Sequence, residues 1–343
     1  MLNSKVENLE ITKPCVGKIH ILKGRILCMN QEEQFELPPN DFLQYQESDI
    51  VSIMPNGVVS ILYRSQWEDL TLFITNQCNS ACIMCPQVCD KSGHLLDLNL
   101  RILELIPENV KHIGITGGEP TIFPEEVIQL LRKAHQLYPD IPISFLTNGR
   151  AFKNMEFVRE LKKVGHVKIL FCIPLYSANY EQHDYIVGAK GAFIETVTGI
   201  FNLFKLNQMI EIRTVLFAET VGLLNDLCEY IARNMPFVRH VAIMGMEYSG
   251  YAAKRYKDFW IDPYDYKDVL GKSGVMLYRK GMLVSIYNIP LCLLSESIRF
   301  LARDSISTWK KIYPVKCDAC KKKELCCGVF ETSVCMSKRI KAL

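Results

Sequence analysis

Cysteine is the residue type whose spacing in this chain points to chemistry. Fourteen cysteines occur in 343 residues, and nine of them fall in two groups. Cys78, Cys82, Cys85 and Cys89 lie within twelve residues; Cys317, Cys320, Cys326, Cys327 and Cys335 lie within nineteen. In a reducing compartment, thiols clustered this way hold metal more often than they form disulfides. The run Cys78-Asn79-Ser80-Ala81-Cys82-Ile83-Met84-Cys85-Pro86 places three thiolates within eight residues. Three thiolates wrap one face of a small cluster, and thiolate is the preferred ligand of an iron–sulfur cubane. A cubane has four iron corners, so three cysteines leave one iron for an outside ligand. Zinc is the alternative, and it would take Cys89 or His94 as its fourth ligand.

The second group reads Cys317-x2-Cys320-x5-Cys326, with Cys292 upstream. Four thiolates close a site, which suits a second cluster or a structural zinc. Cys327 competes with Cys326 for the ligand position, and Cys335 is surplus. Cys172 and Cys228 sit in apolar segments and read as core thiols; Cys15 and Cys28 have no metal-like spacing. His183-Asp184 has no second His-Asp pair to complete a metal site and reads as structural. Lys321-Lys322-Lys323 reads as a solvated turn.

These residues need elements to position them. From residue 69 the pattern repeats strand, loop, helix. Strands are expected at 70–75, 112–116, 143–147, 168–176, 211–217 and 240–246. Helices between them show one apolar face: Val127, Leu130, Leu131, Ala134 and Leu137 in one; Phe193, Val197, Ile200 and Phe204 in another; Leu224, Leu227 and Ile231 in a third. Pro124 opens the first of these, where a missing N–H costs nothing. Six β/α units in succession imply parallel strands with right-handed crossovers, short of a closed eight-fold barrel. The expected fold is therefore α/β, a partial (β/α)6 TIM-like barrel over 69–250. Before it, 1–68 read as a small β-rich accessory domain with turns at Pro38-Pro39-Asn40-Asp41 and Pro55-Asn56-Gly57. After it, 251–343 lose the rhythm at Gly271, Gly274 and Gly281 and form a cysteine-rich region.

The first cysteine run follows strand one, Gly117-Gly118-Glu119-Pro120 follows strand two, and Thr147-Asn148-Gly149 ends strand three. Arg213 lies inside the apolar strand five, where an unpaired guanidinium is costly, and Glu247 follows strand six. Such positions at the C-terminal ends of parallel strands are where β/α barrels place their active sites.

Composition narrows the class further. Hydrophobic residues at 49% and charged residues at 22% exclude a disordered or fibrous chain. A net charge of +3 gives no argument for nucleic acid or an anionic membrane. No apolar run approaches the ~18 residues of a membrane span. The opening residues lack the charged-then-apolar order of a signal peptide, so a cytoplasmic location is expected.

The Cys78-x3-Cys82-x2-Cys85 run resembles the radical S-adenosylmethionine (SAM) enzymes, and Gly117-Gly118-Glu119-Pro120 is similar to that superfamily's GGEP element. The resemblance implies a [4Fe–4S] cluster on Cys78, Cys82 and Cys85, with SAM bound to its open iron. It implies that Gly117, Gly118 and Glu119 take the methionine ammonium group and that Arg213 contacts the methionine carboxylate, a structural ion pair being the alternative for Arg213. Asn148 is implied near the cofactor, Ser177 is the candidate for the ribose, and Met84, where an aromatic residue is common, would pack on adenine. The implied activity is reductive cleavage of SAM to a 5′-deoxyadenosyl radical. The tail resembles the auxiliary-cluster extensions of SPASM or Twitch type, which implies a second [4Fe–4S] cluster on Cys292, Cys317, Cys320 and Cys326. Phe330 stands where the full SPASM pattern has another cysteine, so the shorter Twitch-like form fits better.

Further segments, Thr75-Asn76-Gln77-Cys78, Ile173-Pro174-Leu175-Tyr176, His183-Asp184-Tyr185-Ile186-Val187-Gly188 and Cys326-Cys327-Gly328-Val329-Phe330, resemble the His-Xaa-Ser system radical SAM maturases. That likeness implies a ribosomally made precursor peptide as substrate, a possible second radical SAM maturase as partner, and an electron donor such as flavodoxin or ferredoxin. A small molecule or tRNA as substrate, and a non-enzymatic zinc scaffold, are the competing readings.

Overall fold

The computed structural model describes residues 2–5, 15–30, 34–40, 43–87, 89–91, 93–107 and 109–343. Asp41 of the first expected turn and most of the opening stretch examined for a signal peptide lie outside them. The chain divides into two compact units, 1–75 with 93–145 and 163–169, and 76–92 with 146–162 and 170–343.

In the first unit, β1 (Leu2–Lys5), β2 (Cys15–Leu22), β3 (Arg25–Met29), β4 (Gln34–Leu37), β5 (Ile50–Ile53) and β6 (Val58–Tyr63) form an antiparallel sheet in the order β1-β6-β5-β2-β3-β4. Alternation along β6 buries Val59, Ile61 and Tyr63. With Ile19, Cys28, Leu37, Leu43, Val51 and Ile53, two of these, Val59 and Ile61, make a core of their own. Beside it Asp49 is buried without charge penalty because Arg64 lies 2.7 Å away and the Ser65 N–H donates to it at 2.9 Å. This is the β-rich segment expected from the sequence.

The same unit holds β7 (Asp69–Phe73), α1 (Leu96–Leu105), β8 (His112–Thr116), α2 (Pro124–Leu137) and β9 (Ile143–Leu146). The three strands pair in parallel, Asp69 opposite His112 and Ile113 opposite Ile143. Val127, Leu130, Leu131 and Ala134 of α2 are buried, as their 3.6-residue spacing requires, with Pro124 at the helix start.

The second unit contains α3 (Met155–Lys163), β10 (Ile169–Pro174), α4 (Tyr180–Val187), α5 (Ala192–Lys205), β11 (Met209–Leu216), α6 (Ala218–Val221), α7 (Leu224–Asn234) and β12 (His240–Gly245). All six expected parallel strands are present, displaced by no more than two residues at either end. After β12 come α8 (Gly250–Lys254), α9 (Tyr256–Phe259), α10 (Lys267–Arg279), β13 (Val284–Tyr287) and β14 (Ala302–Arg303). Strands β10 to β14 pair in parallel in chain order.

The rhythm expected to stop near residue 250 therefore continues for two strands. Gly271 and Gly274 do not break α10; they let it pack closely. A Cβ on Gly271 would lie 2.6 Å from Ser295 Oγ, and one on Gly274 would lie 3.3 Å from Leu301 Cδ1. Only Gly281, at φ +77°, ends the helix by taking the left-handed conformation. The tail closes with a two-residue ladder between β15 (Lys311–Ile312) and β16 (Val329–Phe330). No helix among the described residues is long and apolar enough to cross a membrane.

Candidate metal and cofactor site

Cys78, Cys82 and Cys85 are each half-buried on one short loop. Burial pushes the Cys82 thiol up to about 12, and the neighbouring Cys85 and Cys78 add to the shift; burial also raises Cys85. Adjacent thiols whose ionisation burial opposes, as at Cys82 and Cys85, are donors that a cluster of iron cations would stabilise as thiolates, so the loop fits the group its spacing implies.

The loop is braced from several directions. The Ala81 N–H donates to Val187 O and the Ile83 N–H to Ile186 O, both at 3.0 Å, and a turn closes from the Cys85 N–H to Cys82 O at 3.1 Å. Arg150 donates to Asn79 O at 2.5 Å and Ser80 Oγ at 3.2 Å, its own guanidinium fixed by Glu195 at 2.7 Å. Met84, only 6% exposed, packs with Tyr176, Ile186, Val187, Phe217 and Met246. Cys89, one possible fourth zinc ligand, is exposed. His94, the other, stacks edge-on against Phe123 and faces Glu126 at 3.4 Å.

In the first unit, Gly117 and Gly118 follow β8 where the backbone passes tightly by Thr75. A Cβ on Gly117 would lie 2.8 Å from Thr75 O, and the Gly118 N–H donates to that oxygen at 2.6 Å. Glu119 is 1% exposed and accepts from the Thr121 N–H at 3.0 Å and from its hydroxyl. The glycines are thus needed for a close crossing, and the buried carboxylate caps the turn after it.

In the second unit, Asn148 donates to Asn79 Oδ1 of the cysteine loop at 2.6 Å and accepts from the Arg150 N–H at 3.0 Å. The Ser177 hydroxyl donates to Gln182 Oε1 at 2.9 Å and accepts from the Asn179 N–H at 3.0 Å. Arg213 pairs with Glu211, two residues back on the same face of β11. Glu211 Oε2 in turn lies 2.5 Å from His240 Nδ1, and His240 Nε2 lies 2.9 Å from Ser285 Oγ. Burial alone would raise Glu211; the hydrogen bond from His240 and the charge of Arg213 outweigh it and hold the carboxyl at about 2. The ion pair weighed for Arg213 is therefore present. Its partner Glu211 is on the same strand, while His240 and Ser285, which extend the network from Glu211, lie on β12 and β13 and are invisible to spacing along one strand.

The C-terminal cysteines are arranged differently. Cys292, Cys317, Cys320 and Cys326 all line one small pocket, with a cavity volume of about 20 Å³ and with Tyr313, Lys322, Lys323 and Lys341 among the other walls. Backbone N–H groups point at two of the sulfurs, Leu291 at Cys326 (3.5 Å) and Leu343 at Cys320 (3.4 Å). Cys327 turns away into a small apolar cluster with Ile306 and Phe330. Cys326 therefore lines the pocket, and Cys327 is a core thiol. Among the described residues no three His, Cys, Asp or Glu side chains converge on a single ion; the four thiols instead surround a space. Four thiols lining one pocket are a donor set that fits a cluster or a zinc ion.

The remaining sequence candidates fall into structural roles. His183 is buried, accepts from the Tyr176 N–H at 3.3 Å, and is held down at about 4 by burial. Asp184 accepts from the N–H groups of Gly191 at 2.5 Å and Phe193 at 2.8 Å. Glu247 binds the tail through Lys310 at 2.8 Å and the Thr332 hydroxyl at 2.6 Å. Cys172 and Cys228 are buried core thiols as expected.

The parallel strand–helix alternation and the three-thiol loop define a partial β/α barrel of the radical SAM type. Residues 72–231 match the family model described as Radical SAM superfamily, and this stretch of the chain belongs to that superfamily. Membership brings a [4Fe–4S] cluster and SAM as the cofactors of this domain. The chain is 27% identical over 179 residues to a GTP 3′,8-cyclase of Helicobacter pylori, covering 50% of this chain and 54% of the relative. It is 25% identical over 190 residues to a 7,8-dihydro-6-hydroxymethylpterin dimethyltransferase of Methanocaldococcus jannaschii, covering 52% of this chain and 36% of the relative. The chain thus spans about half the length, or less, of these curated relatives. Among solved structures, Streptococcus suis SuiB bound to precursor peptide SuiA superposes with a TM-score of 0.53 at 16% identity, over 64% of this chain and 48% of that one.

Proposed function

We propose that this chain is a radical SAM enzyme that modifies a ribosomally made peptide, of the His-Xaa-Ser repeat kind. The observation that carries the reading is the pairing of a three-thiol loop with a separate four-thiol pocket. One set leaves a coordination position open, and the other is closed. When bound, the cluster and SAM supply reductive cleavage of the sulfonium to a 5′-deoxyadenosyl radical that takes hydrogen from an unactivated carbon of the substrate.

In this reading Cys78, Cys82 and Cys85 hold the first cluster. Gly117 and Gly118 bring the backbone close to the methionine end, and the buried Glu119 carboxylate accepts from its ammonium group. Arg213, kept charged and oriented by Glu211, donates to its carboxylate. Ser177 hydrogen-bonds the ribose, Asn148 lies near the cofactor, and Met84 supplies a thioether surface for adenine. Cys292, Cys317, Cys320 and Cys326 hold the second [4Fe–4S] cluster. Residues 1–68 act as the accessory domain, 69–250 as the catalytic barrel, and 251–343 as the auxiliary-cluster region. A flavodoxin or ferredoxin supplies electrons, a second radical SAM maturase works alongside, and the reaction takes place in the cytoplasm.

The fold likeness to a chain crystallised with a precursor peptide supports a peptide substrate. The curated relatives, GTP 3′,8-cyclases among them, favour a small molecule instead and supply the second reading. Co-expression with a candidate peptide under anaerobic conditions, followed by mass spectrometry, decides between them. A mass loss or gain on the peptide that depends on Cys82 supports the proposal. An unaltered peptide, with SAM turnover triggered by a nucleotide or pterin, would favour the second reading.

A further inference from the structure

The cysteine loop is seated against two glycines that the established motifs do not include. Helix α4 ends at Gly188, which takes φ +62° and ψ +35°. The last carbonyls of a helix have no donor within it. Here the carbonyls of Ile186 and Val187 accept from the N–H groups of Ile83 and Ala81, the residues flanking Cys82. The approach is so close that a Cβ on Gly188 would lie 2.4 Å from Ala81 O and 2.8 Å from its carbonyl carbon. At the other end of the loop, Gly250, at φ +57°, faces Pro86. A Cβ there would lie 2.1 Å from Pro86 O and 3.0 Å from Pro86 C. The obstructing atoms are backbone in both cases, so no side-chain rotation relieves the overlap.

Resting on the reading of residues 78–85 as the cluster loop, we propose that Gly188 and Gly250 are positioning residues that clamp the loop from both ends. They fix the spacing at which Cys82 and Cys85 present their sulfurs. The absence of a Cβ is what each contributes; a left-handed backbone alone does not require it to be in contact with anything. Gly191 shows the difference. Three residues beyond Gly188, it has φ +78° and nothing within 4 Å of where a Cβ would stand.

The test compares Gly188→Ala and Gly250→Ala with Gly191→Ala in the full chain, purified and reconstituted without oxygen. Gly191→Ala imposes backbone strain without a collision. The readouts are iron per chain, the thermal midpoint, and the change in the electron paramagnetic resonance spectrum of the reduced protein on adding SAM. Gly188→Ala and Gly250→Ala should melt near Gly191→Ala, lose iron from the loop, and bind SAM at least about tenfold more weakly. Gly191→Ala should keep the wild-type iron content and spectral response. Gly188→Asn separates strain from contact, because Asn tolerates the left-handed region yet carries a Cβ; it should fail as Gly188→Ala does.

Wild-type iron and a wild-type SAM response in Gly188→Ala, or recovery in Gly188→Asn, would overturn the proposal. So would global unfolding of both clamp variants, which would make the glycines general fold determinants. A wild-type protein that never shows a SAM response sinks the cluster-loop reading itself, a result distinguishable from either.

Discussion

The two groups of cysteines are brought together by different means. The loop at 78–85 draws its three thiols from eight consecutive residues, and its shape comes from neighbours: the end of α4, Arg150 and Gly250. The tail draws four thiols from residues 292 to 326, and its shape comes from the pocket those residues enclose. In the loop, burial raises Cys82 to about 12 and the neighbouring thiols add to it. In the tail, backbone N–H groups reach Cys320 and Cys326 directly, and Cys326 is held down at about 6.

Removing one sulfur from each site tests this contrast with the largest effects. Cys82→Ala should abolish 5′-deoxyadenosine formation and reduce iron from roughly eight to roughly four per chain. Persistence of SAM cleavage in that variant would break the assignment of the loop. Cys320→Ala should lose a similar amount of iron, spare SAM cleavage and stop peptide modification. Equal loss of both activities would reduce the tail to a structural element.

Acid sharpens the contrast through α4. His183 is buried beneath Tyr176 and Phe193, and burial lowers it to about 4, opposed in part by Asp184 and assisted by Arg150. The unfolded chain binds this proton from about pH 6.5, the native chain only near pH 4. The contribution is therefore fully present above pH 6.5 and is lost as pH falls toward 4, by at most about 3 kcal/mol. His183→Gln should flatten the stability profile across that window in denaturant titrations. A profile identical to wild type would show that His183 is not the group responsible.

The smallest effect is expected at Cys327. Its thiol packs with Ile306 and Phe330 instead of lining the pocket. Cys327→Ala should keep full iron content and cost about 1 kcal/mol of stability. A drop in iron equal to that of Cys320→Ala would reverse the choice between Cys326 and Cys327.

Much of this was legible in the sequence because the signals are local. Strand patterns at 112–116 and 240–246 reproduce β8 and the start of β12 to the residue: β8 alternates in burial, and β12 is a continuous apolar run buried on both faces. Spacing points to Cys78, Cys82 and Cys85 as one group, and a family resemblance adds Cys292 to Cys317, Cys320 and Cys326; the structure places these last four on one pocket. What escaped depends on through-space approach. Gly271 and Gly274 read as breaks because a glycine in a close helix contact looks the same as one in a turn. His240 and Ser285, which extend the network beyond the Arg213–Glu211 pair, lie on two further strands. Gly188 was part of a quoted segment, His183 to Gly188, yet its function depends on how near Ala81 comes. Cys326 and Cys327 are adjacent in sequence and separate only when one enters the pocket and the other the core.

The central claim is that three sulfurs at 78, 82 and 85 leave a position that SAM completes, while the tail site is closed. Electron paramagnetic resonance of reduced, oxygen-free Cys320→Ala and Cys82→Ala, each with and without SAM, tests it directly. The account predicts a SAM-induced spectral change in Cys320→Ala and none in Cys82→Ala. A change that survives in Cys82→Ala, or is missing from Cys320→Ala with its loop iron intact, would contradict it.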